Sequence, residues 1–191
     1  MRWRRLWAPK PLPQQPRFLL IARLLADKGI REYVAAARTL KKRYPQAQFR
    51  IAGYTDSNPL SISATELEVW ESKGIVEYLG SLDDVRPALA DTQVYVLPSY
   101  REGTPRTVLE AMATGRPIIT TDSPGCRETV VEGENGFLVP IKDAEALAAA
   151  MERFIIEPGL GARMGSASLQ LARDKYDVHK VNAAIMRGMG L

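Results

Sequence analysis

Short apolar segments alternate with longer amphipathic segments along most of this chain. The short segments are rich in Val, Ile, Leu and Phe, a pattern typical of strands that are buried on both faces. The longer segments place apolar residues at helical spacing. This alternation favours an α/β fold in which helices cover both faces of a Rossmann-like parallel sheet. The predicted strands are 17–23, 46–53, 75–79, 93–98, 117–121 and 137–140.

Helices are predicted between these strands and after the last one. Residues 1–16 contain four prolines, which block regular pairing and indicate an extended linker, so the predicted domain covers 17–191. Asp143 is the expected N-cap of the first C-terminal helix, because apolar residues recur at helical spacing after it. The other predicted helices are 28–44, 65–73, 83–90, 105–114, a short one at 125–131, and two C-terminal ones at 160–174 and 178–189.

Composition narrows the class of protein further. Hydrophobic residues make up 46% of the chain and charged residues 25%, which is average for globular domains, and no apolar run is long enough to span a bilayer. The single cysteine, Cys126, leaves no internal disulfide, so we expect a cytoplasmic protein. The single histidine, His179, lies away from every predicted strand end, which argues against a catalytic role. The net charge of +4 decides little, because part of the excess lies in the first ten residues.

The loops that follow the strands are the expected location of a ligand site. In a parallel α/β sheet, ligands bind beyond the carboxyl ends of the strands, where loops lead into helix N-termini. This rule selects the loops after Arg23, Gly53, Leu79, Pro98 and Thr121. The residues that could carry chemistry fall in these loops.

The loop and helix after the fourth predicted strand carry the most informative pattern. Glu102 and Glu110 lie eight residues apart around a loop-to-helix junction, about 12 Å apart if the segment is helical. Gly103 removes steric bulk and Pro105 suits the first helical turn, so free N–H groups nearby would form a phosphate site. Two carboxylates flanking such a site match a nucleotide-sugar, which has hydroxyl groups at both ends and negative charge between them. An isolated pair of glutamates is more often a pair of solvated surface acids.

The two glutamates also belong to a longer motif. The spacing Glu102-x7-Glu110 is followed by the segment AMATGRP at 111–117. This pattern resembles the signature of the retaining glycosyltransferases of family 4, which have the two-domain architecture called GT-B. The resemblance covers nearly the whole chain from residue 17 onward. The amino-acid sequence of the loops resembles that of bacterial enzymes of capsule, O-antigen and lipid-linked glycan assembly. Further segments that match the family in order and spacing are 22–29, 51–53, 76–80 and 125–140.

The resemblance implies a role for each charged residue of the matching motifs. Arg23 and Lys28 would clamp the donor diphosphate and stabilise the leaving nucleotide, as catalytic groups. Glu102, the third catalytic position, would contact hydroxyl groups of the donor sugar. Glu110 would accept hydrogen bonds from the ribose. The alternative for the two cations is a salt-bridged helix start.

The resemblance also implies main-chain contacts with the donor. Main-chain atoms near Tyr78 and Leu79 would read the base, and Gly53 would leave room for the nucleotide. No metal is implied, because the cationic side chains and the helix N–H groups can stabilise the negative charge. Sugar and phosphate would be held by the backbone of one continuous segment, made of Gly103, Thr104, Pro105, Arg106 and Thr107.

The implied function is donor binding for glycosyl transfer. The donor would be a nucleotide-sugar, expected to be UDP-linked, and its glycosyl group would pass to a hydroxyl acceptor with retention, in bacterial surface or lipid-linked glycan synthesis. The acceptor, a lipid-linked or glycan molecule, would bind in a second, usually N-terminal, domain that this chain does not match. We therefore expect the isolated chain to bind donor weakly and to transfer little. A peripheral position at the inner face of the cytoplasmic membrane is compatible with this function.

Other functions remain alternatives to glycosyl transfer. A GT-B-type UDP-sugar epimerase domain would use a similar donor site and would also need a second domain. A non-enzymatic nucleotide-sugar-binding module would act alone. Nucleic-acid binding is disfavoured, because the chain has no dense basic stripe.

Two further patterns have structural interpretations. Gly159-x-Gly161-x3-Gly165 follows a predicted helix rather than a strand, so it predicts a helix–helix connection instead of a dinucleotide site. Asp83-Asp84 precedes a predicted helix, and such a pair caps a helix far more often than it binds a metal. Neither pattern is expected to take part in the donor site.

Overall fold

The computed structural model describes residues 11–13, 15–55 and 58–176, and within them one six-stranded sheet organises the fold. All neighbouring strands pair in parallel, in the order β3-β2-β1-β4-β5-β6, which confirms the predicted α/β architecture. The strands are β1 Arg17–Ile21, β2 Gln48–Ala52, β3 Glu77–Tyr78, β4 Val94–Leu97, β5 Ile118–Thr121 and β6 Gly136–Val139.

The strand order reverses between β1 and β4. The strands β1 to β3 extend to one side of the sheet and β4 to β6 to the other, so β1 and β4 become neighbours at its centre. Their register pairs Phe18 with Val94 and Leu19 with Tyr95. Such a reversal opens a crevice at the carboxyl ends of the two central strands. The loops after β1 and β4 therefore lie side by side.

Helices cover both faces of the sheet. α1 packs against α5, and α4 packs against α6. None of the described helices combines the length and the apolar character that crossing a membrane requires. The helices are α1 Ile30–Arg43, α2 Ala64–Ser72, α3 Arg86–Ala90, α4 Arg106–Ala113, α5 Ala144–Ile156 and α6 Leu160–Lys175, with 3-10 turns at Ala26–Lys28 and Arg127–Thr129.

Two apolar layers bury the sheet. Along β1, Phe18 and Leu20 belong to the layer under α1 and α5, whereas Leu19 and Ile21 belong to the layer under α4. None of these four residues is more than 7% exposed. Burial of each such side chain stabilises the fold by roughly 1.5–3 kcal/mol. This two-sided burial explains why the strands are continuously apolar rather than alternating.

The first helix begins later than the sequence predicts. Residues 26–28 form a 3-10 turn, Gly29 adopts a left-handed φ of 69°, and α1 begins at Ile30. A Cβ atom at Gly29 would lie 2.1 Å from the main-chain oxygen of Pro98, so this close approach requires glycine. The break in the helix therefore comes from a tertiary contact with the end of β4.

Two elements on the edge of the sheet are shorter than predicted. β3 spans only Glu77–Tyr78, because the N–H of Ile75, the first residue of the predicted strand, still donates to Trp70 O in α2 at 3.0 Å. The prediction that Asp83-Asp84 caps α3 is wrong in detail, since the N-cap is Val85. Asp84 instead accepts hydrogen bonds from the main chain of Arg86 at 3.0 Å and from its guanidinium at 2.7 Å.

The predicted N-cap of α5 is confirmed, and the predicted helix–helix connection between α5 and α6 is confirmed only in part. Asp143 is the N-cap of α5, as predicted, and accepts a hydrogen bond from the third residue of its first turn at 2.8 Å. Of the three glycines assigned to the connection, only Gly159 lies in it, with a φ of 80°. Gly161 and Gly165 lie within α6. A Cβ atom at Gly165 would lie 2.2 Å from Gly115 O, so this glycine permits close helix packing.

The remaining sequence predictions concern short or undescribed segments. The helix predicted at 125–131 is reduced to the second 3-10 turn. Cys126 is buried, and its thiol is free. The helix predicted at 178–189, including His179, lies outside the described residues, as do residues 1–10 of the predicted linker.

Candidate functional site

An ion pair joins the loops that follow the two central strands. Lys28, the last residue of the first 3-10 turn, places Nζ 2.7 Å from Glu102 Oε1. The two residues are 74 positions apart in the sequence, and their side chains are 12% and 18% exposed. Partial burial of both groups strengthens their attraction. The structure thus brings together two residues that the sequence analysis assigned to one site.

Hydroxyl groups support the loop that carries Glu102. The main-chain oxygen of Ser99 accepts hydrogen bonds from the hydroxyl groups of Thr121 and Ser123. These three residues are at most 3% exposed. The main-chain N–H of Glu102 donates to Pro124 O at 3.0 Å. The loop after β5 therefore fixes the backbone on both sides of Tyr100 and Arg101.

The helix α4 begins four residues after Glu102. Its first residue is Arg106, and Pro105 is the N-cap rather than part of the first turn, because its ψ of 107° is extended. The first N–H groups of a helix have no intrahelical acceptor and attract anions. Gly103 and Thr104 are exposed, so the approach to these groups is open. This arrangement suits a phosphate group beside Glu102.

A buried tyrosine fixes the first turn of α4 against β1. The Tyr95 hydroxyl lies 2.6 Å from Thr107 Oγ1 and 3.0 Å from Ile21 O. The Thr107 side chain is therefore engaged within the fold, which leaves its main chain for contact with a ligand. Burial raises the pKa of Tyr95 well above its ordinary value, and the carboxylates of Glu110 and Glu102 raise it further. Both carboxylates thus lie close enough to the same phenol to influence it.

Glu110 is buried on α4 and carries an exposed partner. It is 5% exposed, and its Oε1 atom accepts a hydrogen bond from Arg106 Nε at 2.9 Å, one helical turn earlier. The Arg106 side chain is 74% exposed. Because ion pairs with such an exposed partner contribute little, a ribose hydroxyl could replace Arg106 as the donor. The predicted role of Glu110 requires this exchange or use of its second oxygen.

Arg23 lies at the same edge of the sheet as the Lys28–Glu102 pair. It follows Ile21 by two residues in the loop after β1, and it is exposed. It forms no ion pair with any residue that the structure describes. Within the described part of the chain, the alternative of a salt-bridged helix start therefore has no ion pair to support it at Arg23. Lys28 Nζ lies 2.7 Å from the carboxylate of Glu102, in a distant loop, and 3.9 Å from the carboxylate of Asp27, in its own turn.

The residues predicted to contact the base already form hydrogen bonds within the fold. The Tyr78 hydroxyl donates to Gly53 O at 2.7 Å. The main-chain N–H groups of Tyr78 and Leu79 donate to Glu71 and to β2, at 2.9 Å and 2.8 Å. Any main-chain reading of a base would therefore use carbonyl oxygens. A Cβ atom at Gly53 would lie 1.8 Å from Ala22 O, so the contact between two loops already requires this glycine.

Two other features bear on where a ligand could bind. In residues 11–13, 15–55 and 58–176, no group of three or more His, Cys, Asp or Glu side chains is arranged to hold a metal ion. An open cavity of about 240 Å³ lies between α5 and α6, at the opposite edge of the sheet from the ion pair. It contains none of the predicted site residues and is lined by Glu157, Pro158, Gly159, Leu160 and Arg163.

Comparison with known proteins identifies the family. The family model described as Glycosyl transferases group 1 matches residues 15–157. The chain belongs to this family. The matched region of this glycosyltransferase-family chain contains the Lys28–Glu102 pair, Arg23 and Glu110.

Individual glycosyltransferases match most of the chain. The N,N'-diacetylbacillosaminyl-diphospho-undecaprenol alpha-1,3-N-acetylgalactosaminyltransferase of Campylobacter jejuni is 34% identical over 171 residues, which cover 90% of this chain and 43% of that enzyme. The C-terminal domain of the group 1 glycosyltransferase LpcC from Francisella tularensis has a TM-score of 0.76 at 23% identity, covering 87% of this chain and 89% of that one. Anabaena HepE in complex with UDP-glucose has a TM-score of 0.80 at 24% identity, covering 93% and 49%. The chain therefore has the fold of a GT-B glycosyltransferase domain and spans less than half of the Campylobacter enzyme.

Several residues that support the site carry no motif that marks them in the sequence. Tyr95, Ser99, Tyr100 and Thr121 hold the loops in place but were not singled out. One signal was available for Tyr95, because a tyrosine inside a strand buried on both faces needs a partner for its hydroxyl group. The partners of the other three depend on which loops meet, and a single sequence does not show this.

Proposed function

We propose that the carboxyl edge of the sheet binds a nucleotide-diphosphate sugar, with UDP as the nucleotide. The observation that carries this proposal is the partly buried Lys28–Glu102 ion pair beside the N-terminus of α4. An ammonium group and free helix N–H groups suit a diphosphate, whereas a carboxylate suits the hydroxyl groups of a sugar. Among related proteins, the structure of HepE contains UDP-glucose, and the Campylobacter relative is named for transfer of N-acetylgalactosamine.

Each charged side chain would contact a different part of the donor. Arg23 has no described ion-pair partner, so its guanidinium can turn toward a diphosphate without breaking a pair. Lys28 would share its ammonium group between the diphosphate and Glu102. Glu102 would keep its second oxygen for a hydroxyl group of the donor sugar. Glu110 would accept hydrogen bonds from the ribose in place of Arg106.

Main-chain groups complete the proposed donor site. The backbone of 103–107 would hold the sugar and the phosphate, since it leads into the first turn of α4. Carbonyl oxygens at Tyr78 and Leu79 would read the base, because the N–H groups of both residues already have acceptors. Gly53, which has no side chain, would leave room for the nucleotide beside these carbonyl oxygens. This division places the base near β3 and the sugar near β4.

The proposed reaction is glycosyl transfer with retention at the anomeric carbon. The bond between that carbon and the diphosphate oxygen breaks, a bond to the acceptor hydroxyl oxygen forms, and the hydroxyl proton is released. Negative charge grows on the departing diphosphate, where Arg23, Lys28 and the N–H groups of α4 would stabilise it. We therefore propose that donor binding is metal-independent. Addition of EDTA should leave the affinity for a UDP-sugar unchanged.

The acceptor is proposed to bind in a second domain of a longer parent protein. This chain spans 43% of the Campylobacter relative and 49% of HepE. The Campylobacter relative carries diphospho-undecaprenol in its name, so we propose a lipid-linked or other glycan acceptor in bacterial surface glycan synthesis. Residues 17–191 would form the donor domain and 1–16 a connection. We propose a cytoplasmic protein, since a chain with one cysteine has no internal disulfide, and a position at the inner face of the membrane, where a lipid-linked acceptor would lie.

Titration calorimetry with UDP-glucose, UDP-N-acetylglucosamine, UDP, ADP and GDP tests donor binding by the isolated chain. We expect a UDP ligand to bind more tightly than ADP or GDP. Lys28→Ala should weaken that binding by roughly 10-fold or more, on the scale of one hydrogen bond to a charged group. Lys73→Ala is the matched control, since Lys73 is an exposed lysine at the end of α2. Absence of binding for every UDP ligand, or equal affinity for Lys28→Ala and the wild type, contradicts the proposed site.

Turnover tests the catalytic role separately from binding. In the full-length parent enzyme, Lys28→Ala should lower the rate of glycosyl transfer by about 10²-fold or more, because a preorganised charge contact to the leaving group is lost. The isolated chain should transfer little sugar to any acceptor. Wild-type turnover by the Lys28→Ala parent would remove the leaving-group role from this lysine.

A further inference from the structure

Two loops are locked together under the Lys28–Glu102 ion pair. The main-chain oxygen of Asp27 accepts hydrogen bonds from Tyr100 N at 2.8 Å and from Ser99 Oγ at 3.2 Å. Asp27 precedes Lys28, and Tyr100 lies two residues before Glu102. The spacing between the two charged groups therefore depends on how these backbones are held.

A side-chain contact links the same loop to α1. The Tyr100 hydroxyl donates a hydrogen bond of 2.7 Å to Glu32 Oε1, in the first turn of α1. The other carboxylate oxygen of Glu32 is buried and has no hydrogen-bond partner among the described residues. Burial, together with the Glu32 carboxylate, raises the pKa of Tyr100 to about 12. The hydroxyl is thus a proton donor at every physiological pH.

A second group holds the Tyr100 ring from the loop after β6. Lys142 places Nζ 5.2 Å from the ring centroid, a cation–π distance. Lys142 has a left-handed φ of 61°, a backbone conformation that is unfavourable for residues other than glycine or asparagine. The ring is therefore held between the first turn of α1 and the β6–α5 loop. This arrangement constrains the segment that leads to Glu102.

We propose that Tyr100 and Glu32 are positioning residues that set the distance between Lys28 and Glu102. Their hydrogen bond ties the first turn of α1, which follows Lys28, to the loop before Glu102, in addition to the main-chain contacts of Asp27. Neither residue needs to touch the ligand. The consequence for donor binding rests on the proposed function, whereas the effect on the ion pair does not.

The reactivity of the Lys28 amine reports on the ion pair without any ligand. Acetic anhydride modifies exposed, unpaired amines fastest, and mass spectrometry gives a rate for each lysine. Tyr100→Phe should raise the Lys28 rate by about 2- to 10-fold, the range expected for loss of one hydrogen bond, and leave the Lys73 rate unchanged. Glu32→Leu should act like Tyr100→Phe. Glu32→Gln should retain the wild-type rate, because its amide oxygen still accepts from Tyr100.

Tyr44→Phe is the matched control. Tyr44 follows the C-terminus of α1 and its hydroxyl donates to Glu152 Oε1 at 2.6 Å, so the substitution removes the same kind of bond far from the ion pair. It should leave the Lys28 rate at the wild-type value. The proposal is overturned if Tyr100→Phe leaves Lys28 as protected as in the wild type. It is also overturned if Tyr44→Phe exposes Lys28 equally, or if Glu32→Gln is as damaging as Glu32→Leu.

Titration with UDP-glucose on the same variants separates this inference from the proposed function. If the inference holds, Tyr100→Phe and Glu32→Leu weaken binding by a similar factor and Glu32→Gln does not. If the wild type binds no UDP ligand, the proposed function fails, and the positioning role is still decided by the Lys28 rates. Unchanged rates with normal UDP-glucose binding leave the proposed function intact and remove the positioning role.

Discussion

Gly29→Ala tests the contact that places Lys28 next to the end of β4. Gly29 has a φ of 69°, and an added Cβ would lie 2.1 Å from Pro98 O. Alanine in the left-handed conformation costs about 1–2 kcal/mol. The contact must also lengthen from 2.1 Å to at least 3.4 Å, the start of ordinary van der Waals separation, and forced overpacking of this kind costs about 1–3 kcal/mol more. The free energy of unfolding should therefore fall by roughly 2–5 kcal/mol.

Urea denaturation measures this loss, and Gly74→Ala is the matched control. Gly74 has a similar φ of 63°, but an added Cβ there meets nothing within 4 Å, so only the conformational cost applies. Gly29→Ala should also weaken UDP-glucose binding by about 10-fold or more, because displacement of Lys28 would cost a contact on the scale of one hydrogen bond to a charged group. The reasoning is refuted if the two variants lose equal stability and Gly29→Ala binds UDP-glucose like the wild type.

Three further predictions concern the supports of the site. Tyr95→Phe should lower the free energy of unfolding by about 1–2 kcal/mol, because it removes a buried hydroxyl bonded to the first turn of α4; an unchanged urea midpoint would count against this contact. Gly125→Ala should weaken UDP-glucose binding, since the added Cβ would lie 2.1 Å from Glu102 O. Gly133→Ala is the control, because an added Cβ there meets nothing within 4 Å and should leave the affinity unchanged. Equal affinities of the two variants for UDP-glucose would contradict a role of Gly125 in holding the Glu102 loop. Tyr100 has a pKa raised from 10.0 to about 12, so its stabilising contribution is complete below pH 10 and is lost as the pH rises toward 12. Unfolding measured across this range should show a smaller decline for Tyr100→Phe than for the wild type, and identical profiles would exclude the contribution.

The architecture could be predicted from the sequence because local patterns and the sheet agree. Apolar runs such as 18–21 and 94–97 are buried on both faces, so their composition directly indicates a parallel sheet. The approximate position of the site followed from the same rule, since loops after adjacent parallel strands meet at one edge. The rule alone selects five loops, and the resemblance to the family 4 glycosyltransferases assigned Lys28 and Glu102, 74 positions apart, to one site.

The details that failed depend on contacts between distant segments. The helix predicted from Lys28 breaks at Gly29 because of the approach of Pro98. Gly53 could be read as space for a ligand, but Ala22 O lies where its Cβ would be. The role of Glu32 also escaped notice, because a first-turn glutamate is ordinary until its hydroxyl partner is known. Such pairings require the three-dimensional arrangement of the loops.

Nuclear magnetic resonance of the labelled chain, titrated with UDP-glucose, tests the central claim most directly. We expect the amide signals of 23–29, 102–104 and 106–107 to shift together and to saturate with one dissociation constant. These segments contain Lys28 and Glu102, whose ion pair lies at the carboxyl edge of the sheet. Signals around the cavity at 157–163, on the opposite edge, should not move. Shifts confined to 157–163, or no shifts in the two loops at saturating ligand, would contradict the proposed donor site.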